Sequence, residues 1–252
     1  MIRRVLTVGL VAMLALRWAE PAHAMSPGLS YAALDTVLAQ HLHDGRVDYG
    51  TLARDRGPLD RFLAASREAR PENWPRSDQI AFWVNVYNAR VLDGVIRRPG
   101  LRSVLDVGKT LGVPTLGFFH EKGVSAGREL ALNDIEHEIL RKGFHEPRVH
   151  FVLNCASASC PALPARALSG ATLEFALDAA AGAFLLDRAK NQIAPDSALR
   201  LSSIFKWYRT DFEGPTGSLQ VFIQRHWRGR GVIKANAPVR FLDYDWSLNG
   251  HW

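Results

Sequence analysis

The chain holds two cysteines, Cys155 and Cys160, and both lie in one run of small residues, Cys155-Ala156-Ser157-Ala158-Ser159-Cys160, followed by Pro161 and Pro164. Two chemistries fit this pattern. As a nucleophile, Cys155 needs its thiol pKa lowered by a base or by local dipoles. It also needs donors for a developing oxyanion, and small neighbours leave backbone N–H groups open for that task. As a pair, Cys155 and Cys160 can close a short disulfide loop, which contributes roughly 2 kcal/mol through chain entropy. The two are compatible in a thiol that is gated by oxidation, and the sequence leaves both open.

A nucleophilic Cys155 requires a base. His120, His137, His145 and His150 precede it, and His226 and His251 follow. His137 is the first candidate because Glu136 stands beside it on a helix; Glu136 or Asn154 would orient the imidazole. His150 is the second. Ser157 and Ser159 lack the G-x-S-x-G elbow of a serine nucleophile. A metal site of Cys155, Cys160, His137 and His150 does not match zinc-ligand spacings, so no metal and no cofactor is expected. The candidate catalytic set is therefore Cys155, His137 and Glu136. Asn85, Asn88, Arg141, His150, Asn154 and Ser157 are candidates to line the site.

Several elements must position these groups. Residues 149–153 are apolar and β-branched or aromatic, which predicts a buried strand delivering Cys155 at its end. On such a strand His150 faces away from Val149 and Phe151, and Cys155 joins its face only if the strand bends. The helix predicted over 78–97, with Ser77 as cap, is apolar nearly all round and so is buried. It carries Asn85 and Asn88 on one face. Buried amides need partners: neighbouring loop backbone, or the site itself. Asn133 to Glu136 reads as a capping box opening a helix that ends at Gly143, with His137 and Arg141 on one face. Further helices are predicted over 31–43, 59–69, 172–187, 202–212 and 218–226. Short strands are predicted at 47–49, 118–120, 124–132 and 239–242, and a loop over 100–114.

The first 24 residues join Arg3 and Arg4 to an apolar stretch and an Ala22-His23-Ala24 ending, the pattern of a cleaved secretory signal. The expectation is a periplasmic or secreted protein with one globular domain over 25–252 and no stable membrane span. Removing that segment takes away three Arg and one Glu, so the net charge falls from +6 to +4. Nucleic acid is an improbable partner outside the cytoplasm; an envelope ligand or substrate is expected instead. The basic run 225–231 reads as a solvated loop or as a contact for an anionic ligand.

Five ordered motifs, FWVNVYNA, LNDIEHEILR, RVHFVLNCASASCP, LSSIFKWYRTDF and YDWSLN, lie between 82 and 249, within a stretch of likeness that runs from about 47 to 249. Together they resemble the bacterial exported branch of the family called domain of unknown function 547. The resemblance implies a pattern centred on the first cysteine and no particular reaction; at Ala131 the chain departs from the Ser common in relatives. The predicted fold is mainly helical α+β with a small sheet including 149–153 and 239–242, papain- or transglutaminase-like by analogy of roles. The leading functional expectation is a thiol-dependent hydrolase or acyl transferase acting on an envelope amide or ester. Its competitor is a non-catalytic envelope binding or assembly module stapled by Cys155–Cys160.

Overall fold

The structure is a computed structural model that describes residues 25–26, 28–108, 117–195 and 197–252. The segment read as a signal, 1–24, lies outside the described residues, as does the 109–114 part of the loop expected over 100–114. The first half runs β1 (Met25–Ser26), β2 (Leu29–Ser30), α1 (Ala32–His41), β3 (Leu42–His43), β4 (Arg46–Asp48), α2 (Tyr49–Arg54), α3 (Gly57–Glu68), α4 (Arg76–Ile96), β5 (Gly123–Ser125) and β6 (Arg128–Leu130). A π-helix (Asp134–Arg141) and the single turn α5 (Lys142–Phe144) follow. The remainder is α6 (Leu173–Leu186), β7 (Leu199–Leu201), α7 (Ile204–Trp207), α8 (Arg209–Glu213), α9 (Leu219–His226), β8 (Val239–Phe241) and β9 (Gly250–His251). This is a mainly helical α+β fold with small, separate sheets.

The helix α4 is the axis. Its side chains from Ile80 to Ala89 are buried around the whole circumference, as a sequence apolar nearly all round requires. Helices α2 and α3 and the π-helix pack on it. A second cluster gathers Phe151, Phe184, Phe205, Phe212 and Phe222 from α6 to α9 and the turn before the cysteines. The C-terminal tail returns to the start of the domain, where β9 pairs parallel to β4. Only glycine permits that approach, because a Cβ on Gly250 would stand 2.1 Å from the Val47 carbonyl oxygen. Among the described residues no helix is long and apolar enough to cross a membrane.

Several local expectations are corrected. Residues 149–153 are not a strand: Pro147–Phe151 is a 3-10 turn. The Glu146 carboxylate accepts from the Arg148 N–H and guanidinium, while Val152 and Leu153 N–H both return to the Val149 carbonyl. The run is apolar because it bridges two cores. Val149, Val152 and Leu153 enter the first cluster and Phe151 the second, and a short apolar run buried on both sides reads the same as a strand. Phe118–His120 is likewise a 3-10 turn. The strand pattern over 124–132 is the hairpin β5–β6, turned at Ala126 and Gly127, whose φ values are both positive. Ser77 and Thr172 make no side-chain caps, whereas Ser218 accepts from the Val221 N–H as expected. β8, at 239–241, pairs parallel to β7.

The capping box is also absent. Asn133 has helical angles and makes no cap. Instead Asp134 accepts from the Ala131 N–H at 2.8 Å, and Glu136 turns inward to two tyrosines. This helix is π-type, so its turns are wider than α-helical ones, and frequently such segments occur at functional sites.

Candidate functional site

The two cysteines sit on a loop held by three asparagines. Asn88, from α4, donates to the Val152 carbonyl at 2.8 Å and accepts from the Asn154 N–H at 2.9 Å, as a neighbouring strand would. Asn154 donates to the Pro161 carbonyl and accepts from the Ala156 N–H and from Asn249. Asn249 in turn accepts from the Tyr49 hydroxyl at 2.7 Å. Backbone bonds from Ala158 to Ser247 and from Asn249 to Ala156 lay the C-terminal tail beside the loop. These bonds hold Ala156 at φ +61, a left-handed conformation costly for a residue with a Cβ. Asn85 is engaged elsewhere, exchanging two hydrogen bonds with the Leu168 backbone. Asn85, Asn88 and Asn154 thus brace the loops and do not line the cavity.

Asn88→Ala is expected to lower stability by about 2–4 kcal/mol, since it leaves a buried carbonyl and a buried N–H without partners. Urea unfolding measures this. A loss under about 0.5 kcal/mol would show that the loop is held by its other contacts.

Cys155 and Cys160 are joined as a disulfide, with their Cα atoms 6.2 Å apart. The bridge forms part of the wall of a cavity of about 300 Å³. Aromatic rings make much of that wall: Trp207 and Trp246 stack with centroids 5.8 Å apart, and Tyr244 lies 4.7 Å from each. Glu136, His137 and His150 supply polar groups to the same cavity. The π-helix provides the first two, and the turn Pro147–Phe151 provides the third.

His150 is the better oriented of the two histidines. Its Nε2 lies 2.8 Å from Asp211 Oδ2, and its ring stacks on Tyr208 at 4.0 Å. In the neutral ring, Nε2–H donates to the carboxylate and Nδ1 keeps its lone pair. Arg141 grips the same carboxylate with two bonds, at 2.6 and 3.0 Å. Burial pushes the Asp211 carboxyl up, but the hydrogen bonds and charges of His150 and Arg141 outweigh it and hold it well below the usual carboxylate range.

His137 takes a different state. A guanidinium has no acceptor, so the Arg141 Nη1–H donates to His137 Nδ1 at 3.0 Å. The proton of the neutral ring is therefore on Nε2. Burial lowers the His137 pKa, outweighing the Glu136 charge that raises it, and the Arg141 charge adds to the lowering. His137 is thus a neutral donor through Nε2. Glu136 accepts from Tyr208 at 2.7 Å and from Tyr87 at 3.1 Å. Burial first, and the Glu136 charge second, raise both phenol pKa values, so these groups stay protonated donors.

Ser157 donates to the Tyr244 hydroxyl at 3.0 Å. The Cys155 sulfur has Ser157 Oγ at 3.1 Å and the Tyr244 hydroxyl at 3.3 Å; these, not an imidazole, are its hydrogen-bond partners among the described residues. No group of three or more His, Cys, Asp or Glu among the described residues is disposed to hold a metal ion.

The structure therefore brings together Cys155, Cys160, His137, His150 and Glu136, with Arg141 behind them. Sequence reasoning missed Asp211, Tyr208, Tyr87 and Tyr244. All four lie inside motifs singled out above, but Tyr208 and Phe212 stand four apart, a spacing that core packing alone explains, and Asp211 sits between them. Its signal was a carboxylate one turn from a tyrosine in a helix otherwise apolar toward the core.

Fold and site define a mainly helical α+β protein in which an aromatic-walled cavity is bounded by a disulfide and by the histidine of an Asp–His pair. More particularly, residues 71–185 match the family model described as "Protein of unknown function, DUF547", so the family resemblance holds over that span. The span includes α4, the π-helix and the cysteine loop; Tyr208, Asp211, Tyr244 and Trp246 fall beyond it, and it is narrower than the 47–249 expected from the sequence. A search of the curated proteins and a search of the solved structures each find no match.

Proposed function

We propose that the chain, with its cysteines reduced, is a thiol-dependent hydrolase or acyl transferase in which Cys155 is the nucleophile. The observation that carries this reading is the shared cavity: Cys155 and His150 line the same half-open cavity, and Asp211 holds His150 from behind it. A nucleophile, a base and a group that orients the base are the parts such chemistry needs. His150 serves as the base because its Nδ1 lone pair is free of Asp211. His137 holds its proton on Nε2, so it suits the oxyanion as a donor. In this reading His150 takes the thiol proton and the Cys155 thiolate attacks an acyl carbon. The leaving amine or alcohol then receives that proton, and water or a second acceptor releases the acyl group. An amide or ester of an envelope component is the proposed substrate, resting on the signal-like pattern of residues 1–24; the cavity size favours an acyl group or a chain end.

One observation favours the alternative, a binding module with a structural staple: Cys155 is paired with Cys160 and meets Ser157 and Tyr244, not an imidazole. Alkylation of the reduced protein over a pH series, read by mass spectrometry, separates the two. The enzyme reading expects selective labelling of Cys155 with an apparent pKa well below about 8.5, raised by His150→Gln, and turnover of a chromogenic ester. Ordinary thiol behaviour in both variants, with no turnover, would leave the binding module.

A further inference from the structure

The two sulfurs of the bridge are not equivalent. Both cysteines touch the cavity, but Cys155 is partly exposed, whereas Cys160 is only 4% exposed. Their hydrogen bonds differ as well. The Cys155 N–H donates to Cys160 Sγ at 2.9 Å. Tyr244 O–H also reaches Cys160 Sγ, at 3.2 Å, and lies 3.3 Å from Cys155 Sγ. Ser157 has one hydroxyl hydrogen, and its bond to the Tyr244 oxygen uses it. The Tyr244 hydrogen is then the one the sulfurs compete for, and the backbone N–H serves Cys160 alone. Burial keeps the Tyr244 phenol protonated, so that hydrogen is retained.

We infer that Cys155–Cys160 is a thiol–disulfide exchange site, at which a small thiol attacks Cys155 Sγ and expels Cys160 as a thiolate. Exchange proceeds at an accessible sulfur and is faster when the leaving thiolate is stabilised. Here the accessible sulfur is Cys155, and the leaving sulfur already holds a backbone N–H and has Tyr244 O–H in reach. The incoming thiol gives its proton to His150 Nδ1 or to solvent. Its sulfur bonds to Cys155 Sγ, the S–S bond breaks, and the bonding pair goes to Cys160. A second thiol attacks the mixed disulfide, releasing the oxidised small-molecule disulfide and the Cys155 thiol. Two thiols are thereby oxidised and the protein disulfide is reduced. The aromatic wall and the Glu136 carboxylate in a cavity of about 300 Å³ favour small, uncharged thiols over anionic ones.

Exchange shares Cys155 with the acyl-transfer reading but needs no acyl substrate, so its test fails or succeeds separately. The folded protein is treated with limiting 2-mercaptoethanol, quenched in acid, alkylated, and mapped by mass spectrometry; glutathione runs in parallel. The expected result is a hydroxyethylthio adduct on Cys155 with the alkyl label on Cys160, glutathione reacting more slowly. Tyr244→Phe should slow the first step about tenfold, the scale of one hydrogen bond to a charged group. An adduct on Cys160, an even split, or reduction only after denaturation would overturn the inference.

Discussion

Asp211→Asn is expected to remove turnover of any substrate processed through His150, by about 10²–10⁴-fold, the usual range for losing an oriented acid–base group. The substitution keeps the size of the side chain and reverses its hydrogen-bond sense at one atom. An amide nitrogen set at the present Oδ2 position would donate to His150 Nε2, drive the ring proton to Nδ1, and occupy the lone pair that the proposed base would use. A carboxamide turned the other way keeps the His150 bond but gives the Arg141 fork a donor where it now finds an acceptor. Either arrangement leaves a charged guanidinium facing a neutral group, at a cost of about 2–3 kcal/mol for this partly buried pair. Stability against pH reads the same residue without a substrate. The folded pKa of Asp211 is depressed below its unfolded value near 3.8, so its contribution is present above that value and is lost as pH falls toward the folded one. The variant should therefore unfold along a shallower acid limb in a urea series from pH 6 to pH 2. An unchanged acid limb together with full turnover would remove Asp211 from the site.

The parts of the molecule that could be read from sequence are those fixed by local periodicity. The apolar circumference of α4 announces burial, and Asn85 and Asn88 within it announce partners, although which loops they hold depends on chain segments some 60 to 80 residues away. The 149–153 run misleads because burial on two sides erases any period. Glu136 misleads because a carboxylate at the third position after Asn133 is also the mark of a cap. Its real partners, Tyr87 of α4 and Tyr208 at the junction of α7 and α8, come from distant parts of the chain. The cysteine loop itself was legible as a reactive or bridged pair. The ring tautomers were not, since which nitrogen of His137 and of His150 carries the proton is set by Arg141 and Asp211, and the proposed choice of base rests on that.

Phe151→Ala should cost about 3–5 kcal/mol, the range for truncating a buried aromatic side chain, and its effect should reach the site. Phe151 is 1% exposed. Its ring meets those of Phe184, Phe205, Phe212 and Phe222 at centroid distances of 5.3 to 6.1 Å. On both segments that build the Asp–His pair, the catalytic candidate is followed directly by a core phenylalanine: His150 by Phe151, and Asp211 by Phe212. The packing of the two rings against each other, 5.7 Å apart, therefore fixes the distance between the two polar side chains that precede them. Removing one ring leaves a cavity under the turn and frees α8 to shift, and a shift of under an ångström is enough to lengthen a 2.8 Å bond beyond useful range. Chemical unfolding gives the stability loss. The depressed pKa of Asp211, followed by carboxyl NMR, should move back toward its ordinary value in Phe151→Ala and much less in Phe151→Leu, which keeps most of the volume. Should Asp211 titrate identically in both variants, the polar pair would be held by Arg141 and Tyr208 alone, and the aromatic core would serve stability without setting the geometry of the site.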